Sequence, residues 1–534
     1  MLEGERSYQR GQENLVPGNN ASSAPENPVI PKAQETPWYI RHFIKLLIGF
    51  GLGGGAVAIL LPWMLWLHCG MSSSSSDQLR LHLLYVTGGI IAVLTLLQTN
   101  WKNQGDRLKI DADIKKNEQD AENEAAKREQ DAVKSERDHT RQVHAERRSR
   151  YTTAVGQLAD EKVAIRLGGI YTLTGLIDEW LADSTLNEEE QQKEGQVIIN
   201  NLCSYIRSPF PLALKAEMFE GDSEPDDYEG DFSKDQAAFH EEQDVRRTIF
   251  VEMSKRSSTF TRDGVGSVID TFPGKWSDFE FDFSRAPIFY PLDAITIEKG
   301  DFSAAKFYSN ADFREAIFTQ TVNFSRATFT QTANFSGATF TQYAGFSGAT
   351  FTQYAGFSGA TFTQTANFSG ATFTQTANFS RATFTQTANF SKATFTQYAG
   401  FSGATFTQTA NFSETTFTQY AGFSGATFTQ TANFSRATFN QTANYSNATF
   451  SIASPKFVET FEISGMTFRT RFATLPADQE AHNFAVYEGS QPIPLGTAEL
   501  NGVGYRIPVG TVLFDPASWD ERQKEYTRLS EPAK

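Results

Sequence analysis

ANFSGATFTQT, residues 366–376, returns with small changes in every 11-residue window between 302 and 450. One aromatic series runs Phe302, Phe313, Phe324 and on to Phe434 and Tyr445; a second runs Phe307, Phe318, Phe329 and on to Phe450. The resulting 14 units hold 28 aromatic positions and use 27 of the chain's 46 Phe, against 7 Trp and 6 Met in all 534 residues. The lopsided aromatic inventory therefore belongs to one region and to one repeating task.

The Phe steps alternate between 5 and 6, which excludes the ordinary elements. In a helix such steps rotate a side chain by about 500° and 600°, spreading Phe around the cylinder, and the density of Thr, Asn, Ser and Gly disfavours helix as well. A flat strand fails because an odd step flips the side chain across the pleat. A chain that turns a corner between successive Phe brings each ring back to one interior, so the pattern predicts a β-solenoid with one inward aromatic per side. Phe335, Phe340, Phe346, Phe351, Phe357, Phe362, Phe368 and Phe373 are its expected core ladder.

Ala333-Asn334-Phe335-Ser336-Gly337 followed by Ala338-Thr339-Phe340-Thr341-Gln342 resembles the pentapeptide-repeat proteins, with Ala two positions before the inward Phe. The sixth residue of alternate elements, Thr332 or Tyr343, matches the Phe-rich, 11-residue variety of that family. The resemblance implies a right-handed quadrilateral β-helix with two units per coil, so 14 units make about seven coils and a rod about 34 Å long. It also implies a bacterial, membrane-anchored protein, because the wider layout is similar to such members, whose molecular role is generally unassigned.

Working outward, residues 1–37 are polar and Pro-rich and are expected to form a disordered tail. A transmembrane hairpin is expected over 38–101. Its first span, about 46–67, is LLIGFGLGGGAVAILLPWMLWL, without a charge; its second, about 79–99, has Arg80 and His82 at one end and Trp101-Lys102 at the other. Arg41 and Lys45 before the first span, and Lys102, Arg107 and Lys109 after the second, predict an inner-membrane, multi-pass protein with both termini cytoplasmic. Gly49, Gly51, Gly53 and Gly55 form two overlapping small-x-x-x-small pairs that suit close helix contact or self-association, although glycine is also common in membrane helices.

Residues 102–150 carry 13 Lys/Arg and 12 Asp/Glu, no Pro and one Gly, and read as a charged helical stalk. Ile110, Ala121, Ala132 and Val143 recur at a constant interval close to three helical turns, a stripe that serves either a coiled-coil contact between protomers or a plain spacer. Apolar residues at helical spacing then predict a helical domain over 151–208, an acidic linker over 209–233 and a capping helix over 234–256. The solenoid is expected over 276–468, with its regular core at 302–450, and residues 469–534 are expected to be a C-terminal cap or docking region.

The formal charge of -15 is local, since residues 208–244 hold twelve Asp/Glu and two Lys. The repeat itself carries six Lys/Arg and four Asp/Glu, a net of +2, which argues against both a DNA-mimicking gyrase inhibitor and a phosphate-tracking nucleic-acid binder. Two cysteines, Cys69 and Cys203, make no disulfide framework or zinc site. Asp278, Glu280 and Asp282 alternate with Phe279, Phe281 and Phe283, an arrangement that suits a cation or, more simply, a solvated first strand. The Asn-Phe-Ser triplets match a glycosylation acceptor only formally. Seven scattered His form no metal or catalytic motif, so no enzyme, cofactor or metal is expected.

Two surface features remain. Thr-Phe-Thr triplets would point threonines outward, as on an adhesive or ice-binding rod, although Thr also simply suits an exposed strand. Tyr343, Tyr354, Tyr398 and Tyr420 are each followed two positions later by Gly345, Gly356, Gly400 and Gly422, where other units mostly have Thr and Asn. With two units to a coil, Tyr354, Tyr398 and Tyr420 share a column, the candidate binding strip; duplication of unit variants would produce the same pattern. The sequence thus points to a non-enzymatic binding or scaffolding protein with an unidentified cytoplasmic protein partner, possible homo-oligomers through the first span and stalk, and no nucleic-acid partner.

Overall fold

The computed structural model describes residues 35–534 apart from 222, 263–267, 293–298, 461–465 and 477–478, so the expected disordered tail lies largely outside the described residues. The chain divides into two units, residues 1–137 and 138–534.

In the first unit a single turn, α1 (Trp38–Arg41), precedes α2 (Phe43–Cys69), which ends on Gly70 in the left-handed conformation. Helix α3 (Ser73–Leu158) follows at once. Both α2 and α3 are long and apolar enough to cross a membrane. Their contact differs from the sequence reading: Gly49, Gly51, Gly53 and Gly55 face open space, whereas a Cβ on Gly54 would collide with the Thr87 side chain. Ala58 and Pro62, at successive steps of four along the same helix, are buried, and the Ser76 hydroxyl donates to the Pro62 carbonyl at 3.3 Å. One face of α2 thus takes the intrachain contact and leaves the four neighbouring glycines unpaired with α3.

The segments expected to form the second span, the stalk and the start of the helical domain are one 86-residue helix. The helix runs without interruption through positions 101 and 150, where the sequence suggested boundaries.

The second unit contains the last turns of α3, then α4 (Val163–Leu181), α5 (Glu188–Arg207), α6 (Ala216–Phe219) and α7 (Phe232–Ser257). Asn187 and Glu190 make a reciprocal capping box that starts α5. Leu173, Ile177, Ile199, Leu202, Ile249 and Met253 are fully buried where these helices meet. The segment read as an acidic linker is partly folded: Ala213, Ala216 and Phe219 are buried, and the Phe219 ring packs on Phe232 and Phe239. Its acidic side chains masked these few apolar anchors.

The solenoid has four parallel ladders, and the chain visits them in the order first, second, third, fourth face once per coil. In one coil the strands are Ala344–Gly345, Thr350–Phe351, Ala355–Gly356 and Thr361–Phe362, and each pairs in register with the equivalent strand of the next coil. Each 11-residue unit turns one corner through a left-handed residue: Gly at 337, 348, 359, 370, 403 and 425, but Arg326, Arg381, Lys392, Glu414 and Arg436 in other units. The Asn before the inward Phe stabilises that corner, its Oδ1 accepting the N–H two positions on, as from Asn367 to Ser369 at 3.0 Å. Inside, Phe346 stacks on Phe324 and Phe368 at 5.1 and 4.8 Å, and meets Phe357 of the third face edge-on at 5.5 Å. Phe335, Phe340, Phe346, Phe351, Phe357, Phe362, Phe368 and Phe373 are all at most 1% exposed.

Helices α5 and α7 close the first coil. Phe250 lies on Phe283 at 4.5 Å, and Gln196 brackets the Glu280 backbone with two hydrogen bonds. At the other end the solenoid continues beyond the expected limit of 468. A further, irregular coil sets Lys456 beside Asn433, Arg471–Ala473 along Thr438–Phe439 and Asn483 beside Asn444. Its Phe457, Phe472 and Phe484 extend three aromatic columns at 5.5, 5.0 and 5.8 Å. The hairpin Val458–Thr460/Thr467–Arg469 and residues 474–482 interrupt its spacing, which hid the coil from periodicity. Val512–Phe514 then adds a last strand to the second face, whereas Leu495–Leu500 with Val503–Pro508 and Trp519–Asp520 with Glu525–Tyr526 form hairpins of their own.

Candidate binding surface

Tyr354, Tyr398 and Tyr420 each lead into a third-face strand, and Tyr343 leads into a first-face strand. Their glycines explain the ring positions. A Cβ on Gly345, Gly356, Gly400 or Gly422 would lie 2.9, 2.8, 2.6 or 2.9 Å from Cε1 of its own Tyr, so each ring lies flat over bare backbone where other units carry Asn. The phenol oxygen accepts from an Asn of the next coil: Asn378 for Tyr354 at 3.4 Å and Asn444 for Tyr420 at 2.6 Å. Tyr398 and Tyr420, one coil apart, stack at 5.5 Å with planes 8° apart. Tyr354 lies two coils from Tyr398, about 10 Å along the face. Tyr398 stays 37% exposed, which leaves a ring face and edge available to a partner.

The threonines divide into two kinds. The first Thr of each triplet is half-exposed, whereas the second turns its hydroxyl back to the preceding coil: Thr341 to Thr319 O, Thr352 to Thr330 O and Thr363 to Thr341 O, at 2.9, 2.9 and 2.7 Å. In these triplets the second hydroxyl is thus spent on coil-to-coil bonding.

The ionisable groups read as structural. Asp282 pairs with Arg207, and Glu280 with Lys299 at 3.2 Å, so two of the three alternating acidic residues go to different cations. Among the described residues, no three His, Cys, Asp or Glu are grouped to hold a metal ion. Burial pushes the Cys203 thiol up to about 12, which keeps it protonated and unreactive. At the end of α3, Asp183 accepts from His144 at 2.8 Å, from Arg147, and from both the N–H and hydroxyl of Thr185. Burial alone would raise the Asp183 pKa, but these donors outweigh it and hold the carboxyl well below the ordinary range. This cluster, which fastens α3 to the helical domain, was not legible in sequence because Arg147 and His144 stand far from Asp183 along the chain without a motif.

The fourfold ladder, the two-unit coil and the inward Phe agree with a family model described as pentapeptide repeats, which matches residues 302–350, 324–372, 346–394, 368–416 and 412–454. Residues 302–454 are a pentapeptide-repeat domain. No curated protein matches the chain, and no solved structure does. The pentapeptide-repeat domain supports a repeat or scaffold role, and three of its four Tyr and Gly pairs lie on the third face, the fourth, Tyr343 with Gly345, on the first.

Proposed function

We propose that this chain is a membrane-anchored, non-enzymatic scaffold, a multi-pass protein of the inner membrane with both termini cytoplasmic. The observation that carries the reading is the presence in one chain of two helices of spanning length and a repeat domain whose inward positions are filled by stacked Phe and small Ala. Such a domain offers surface, and its coil-to-coil hydrogen bonds hold that surface stiff. The cytoplasmic placement rests on the Lys and Arg that flank the hairpin.

A cytoplasmic protein partner docks on the third face, on Tyr354, Tyr398 and Tyr420, whose pre-placed rings give contact area at little entropic cost. The open glycines of α2 support a second association, between copies of the chain. The internal use of the second Thr hydroxyl argues against the adhesive or ice-binding reading, and the charge of the repeat argues against DNA mimicry.

Protease treatment of intact and lysed cells, with an epitope at the C-terminus, tests the placement: protection before lysis and cleavage after it is expected, and cleavage of intact cells would refute it. A pull-down with each third-face pair returned to the common unit (Tyr354→Thr with Gly356→Asn, Tyr398→Thr with Gly400→Asn, Tyr420→Thr with Gly422→Asn) tests the strip. Loss of partners recovered by the wild type is expected; unchanged recovery removes the strip from the proposal.

A further inference from the structure

Between Lys45 and Lys102 the chain contains one acidic and one basic residue, Asp77 and Arg80. Both stand at the connecting end of the hairpin, Asp77 just outside the expected second span and 74% exposed, Arg80 at its edge and 39% exposed, where charges meet lipid headgroups. Both line a cavity of about 210 Å³ at the connected end of α2 and α3, together with Ser73, Ser76 and the rings of Trp63 and Trp66. That is roughly seven times the ~30 Å³ share of one water. Asp77 and Arg80 approach only to 3.6 Å, too long for a hydrogen bond. Arg80 Nε has no partner among the described residues. Ser76 is already committed to the Pro62 carbonyl. The cavity therefore holds one carboxylate and one guanidinium, both with bonding capacity to spare, beside two half-exposed indoles.

We propose that this cavity binds the headgroup of a zwitterionic phospholipid of the phosphoethanolamine type. The ammonium lies against Asp77 and the faces of Trp63 and Trp66, where cation–π attraction adds to the ion pair. The phosphate takes the donors of Arg80, whose planar fork suits it. Trp at headgroup depth places the cavity at the membrane interface, with the acyl chains running along the apolar outer surface of the hairpin. A purely anionic lipid would satisfy Arg80 and leave Asp77 repelled. The inference rests on the membrane-anchored reading above.

The test uses the full chain in detergent, with native mass spectrometry of retained lipid after addition of phosphatidylethanolamine, phosphatidylglycerol or phosphatidylcholine of identical acyl chains. The wild type should retain phosphatidylethanolamine about fivefold over phosphatidylglycerol. Asp77→Asn should abolish that preference by freeing Arg80 for the anionic lipid, and Arg80→Gln should lower retention of both, with far-ultraviolet circular dichroism unchanged. Equal retention of the two lipids by the wild type, or a preference that survives both substitutions, overturns the site, as does equal or greater retention of phosphatidylcholine, whose bulkier ammonium lacks N–H donors for Asp77. Carbonate extraction of membranes separates the two failures: a chain that stays in the pellet yet shows no headgroup preference refutes the cavity alone, whereas a chain released by carbonate refutes the anchoring and the cavity together.

Discussion

Replacing Gly400 by Asn sets a Cβ 2.6 Å from Cε1 of Tyr398, a distance that real side chains do not tolerate, so the ring must leave its seat. Tyr398 is 37% exposed. Fully burying a side chain of this size is worth ~1.5–3 kcal/mol, and the seated ring, about two-thirds buried, therefore contributes roughly 1–2 kcal/mol. Against that loss, the introduced Asn side chain would regain the turn-capping bond to the Ser402 N–H that Asn367 and Asn389 make to Ser369 and Ser391 at 3.0 Å, worth ~1 kcal/mol. The single substitution Gly400→Asn should thus fall within about 1 kcal/mol of wild type. Tyr398→Thr alone loses the ring and leaves bare backbone, a cost of about 1–2 kcal/mol. The double variant is simply the common unit and loses the ring once, so a double-mutant cycle should show a favourable coupling of about 1–2 kcal/mol. Hydrogen exchange of the full chain in detergent, read at the amides of Phe379 and Phe401 that bond to Gly400 O and Gly422 O, measures the local opening free energy. Additivity within ~0.5 kcal/mol would show that the glycine does not seat the ring.

Three further outcomes follow from the packing. Tyr445 is fully buried in the Phe ladder and its hydroxyl has no partner among the described residues, so Tyr445→Phe should stabilise the terminal coils by about 1–3 kcal/mol in urea unfolding; a loss of stability would reveal a partner for that hydroxyl. His482 occupies the inward Ala position of an Asn-Phe unit, and burial lowers its pKa from 6.5 to about 4. The unfolded chain then binds the proton first, so the last coil is at full stability above about pH 6.5 and weakens as pH falls toward 4; His482→Ala should flatten the exchange profile of residues 470–491 in this window, and an unchanged slope would place the titration elsewhere. Asp183→Ala removes the carboxylate partner of His144 and leaves Arg147, 13% exposed, with only its 3.4 Å pairing to Glu179, and should loosen this part of α3 by about 1–3 kcal/mol, detected as faster tryptic cleavage at Arg147, Arg148 and Arg150; unchanged cleavage would mean that apolar packing of α3 suffices.

The repeat was legible because a solenoid writes its tertiary contacts at a constant sequence offset. Phe346 touches Phe324 and Phe368 because each stands one coil away along the chain, and the same rule holds for the Tyr354, Tyr398 and Tyr420 column and for the glycines that seat its rings. Periodicity, an odd Phe step and one turn-forming residue per unit therefore determined the fold class, the inward residues and the candidate strip from sequence alone. The charge-free run around Pro62 and the apolar start of α3 likewise announced two helices of spanning length by composition.

Where contacts follow no fixed offset, only the tertiary structure could decide. Asn483 pairs with Asn444 and Arg471 with Thr438 at two different separations along the chain, because insertions of unequal length divide the sides of the last coil. Gly54 and not its four glycine neighbours meets Thr87, because helix rotation is set by which faces pack, and the sequence contains small residues on several faces. Asp183 gathers His144 and Arg147 from another helix, and Asp77 and Arg80 come to lie beside Trp63 and Trp66 only once α2 and α3 fold back on each other. Local periodicity is a property of the chain, whereas register between elements at variable separation is a property of the packed molecule.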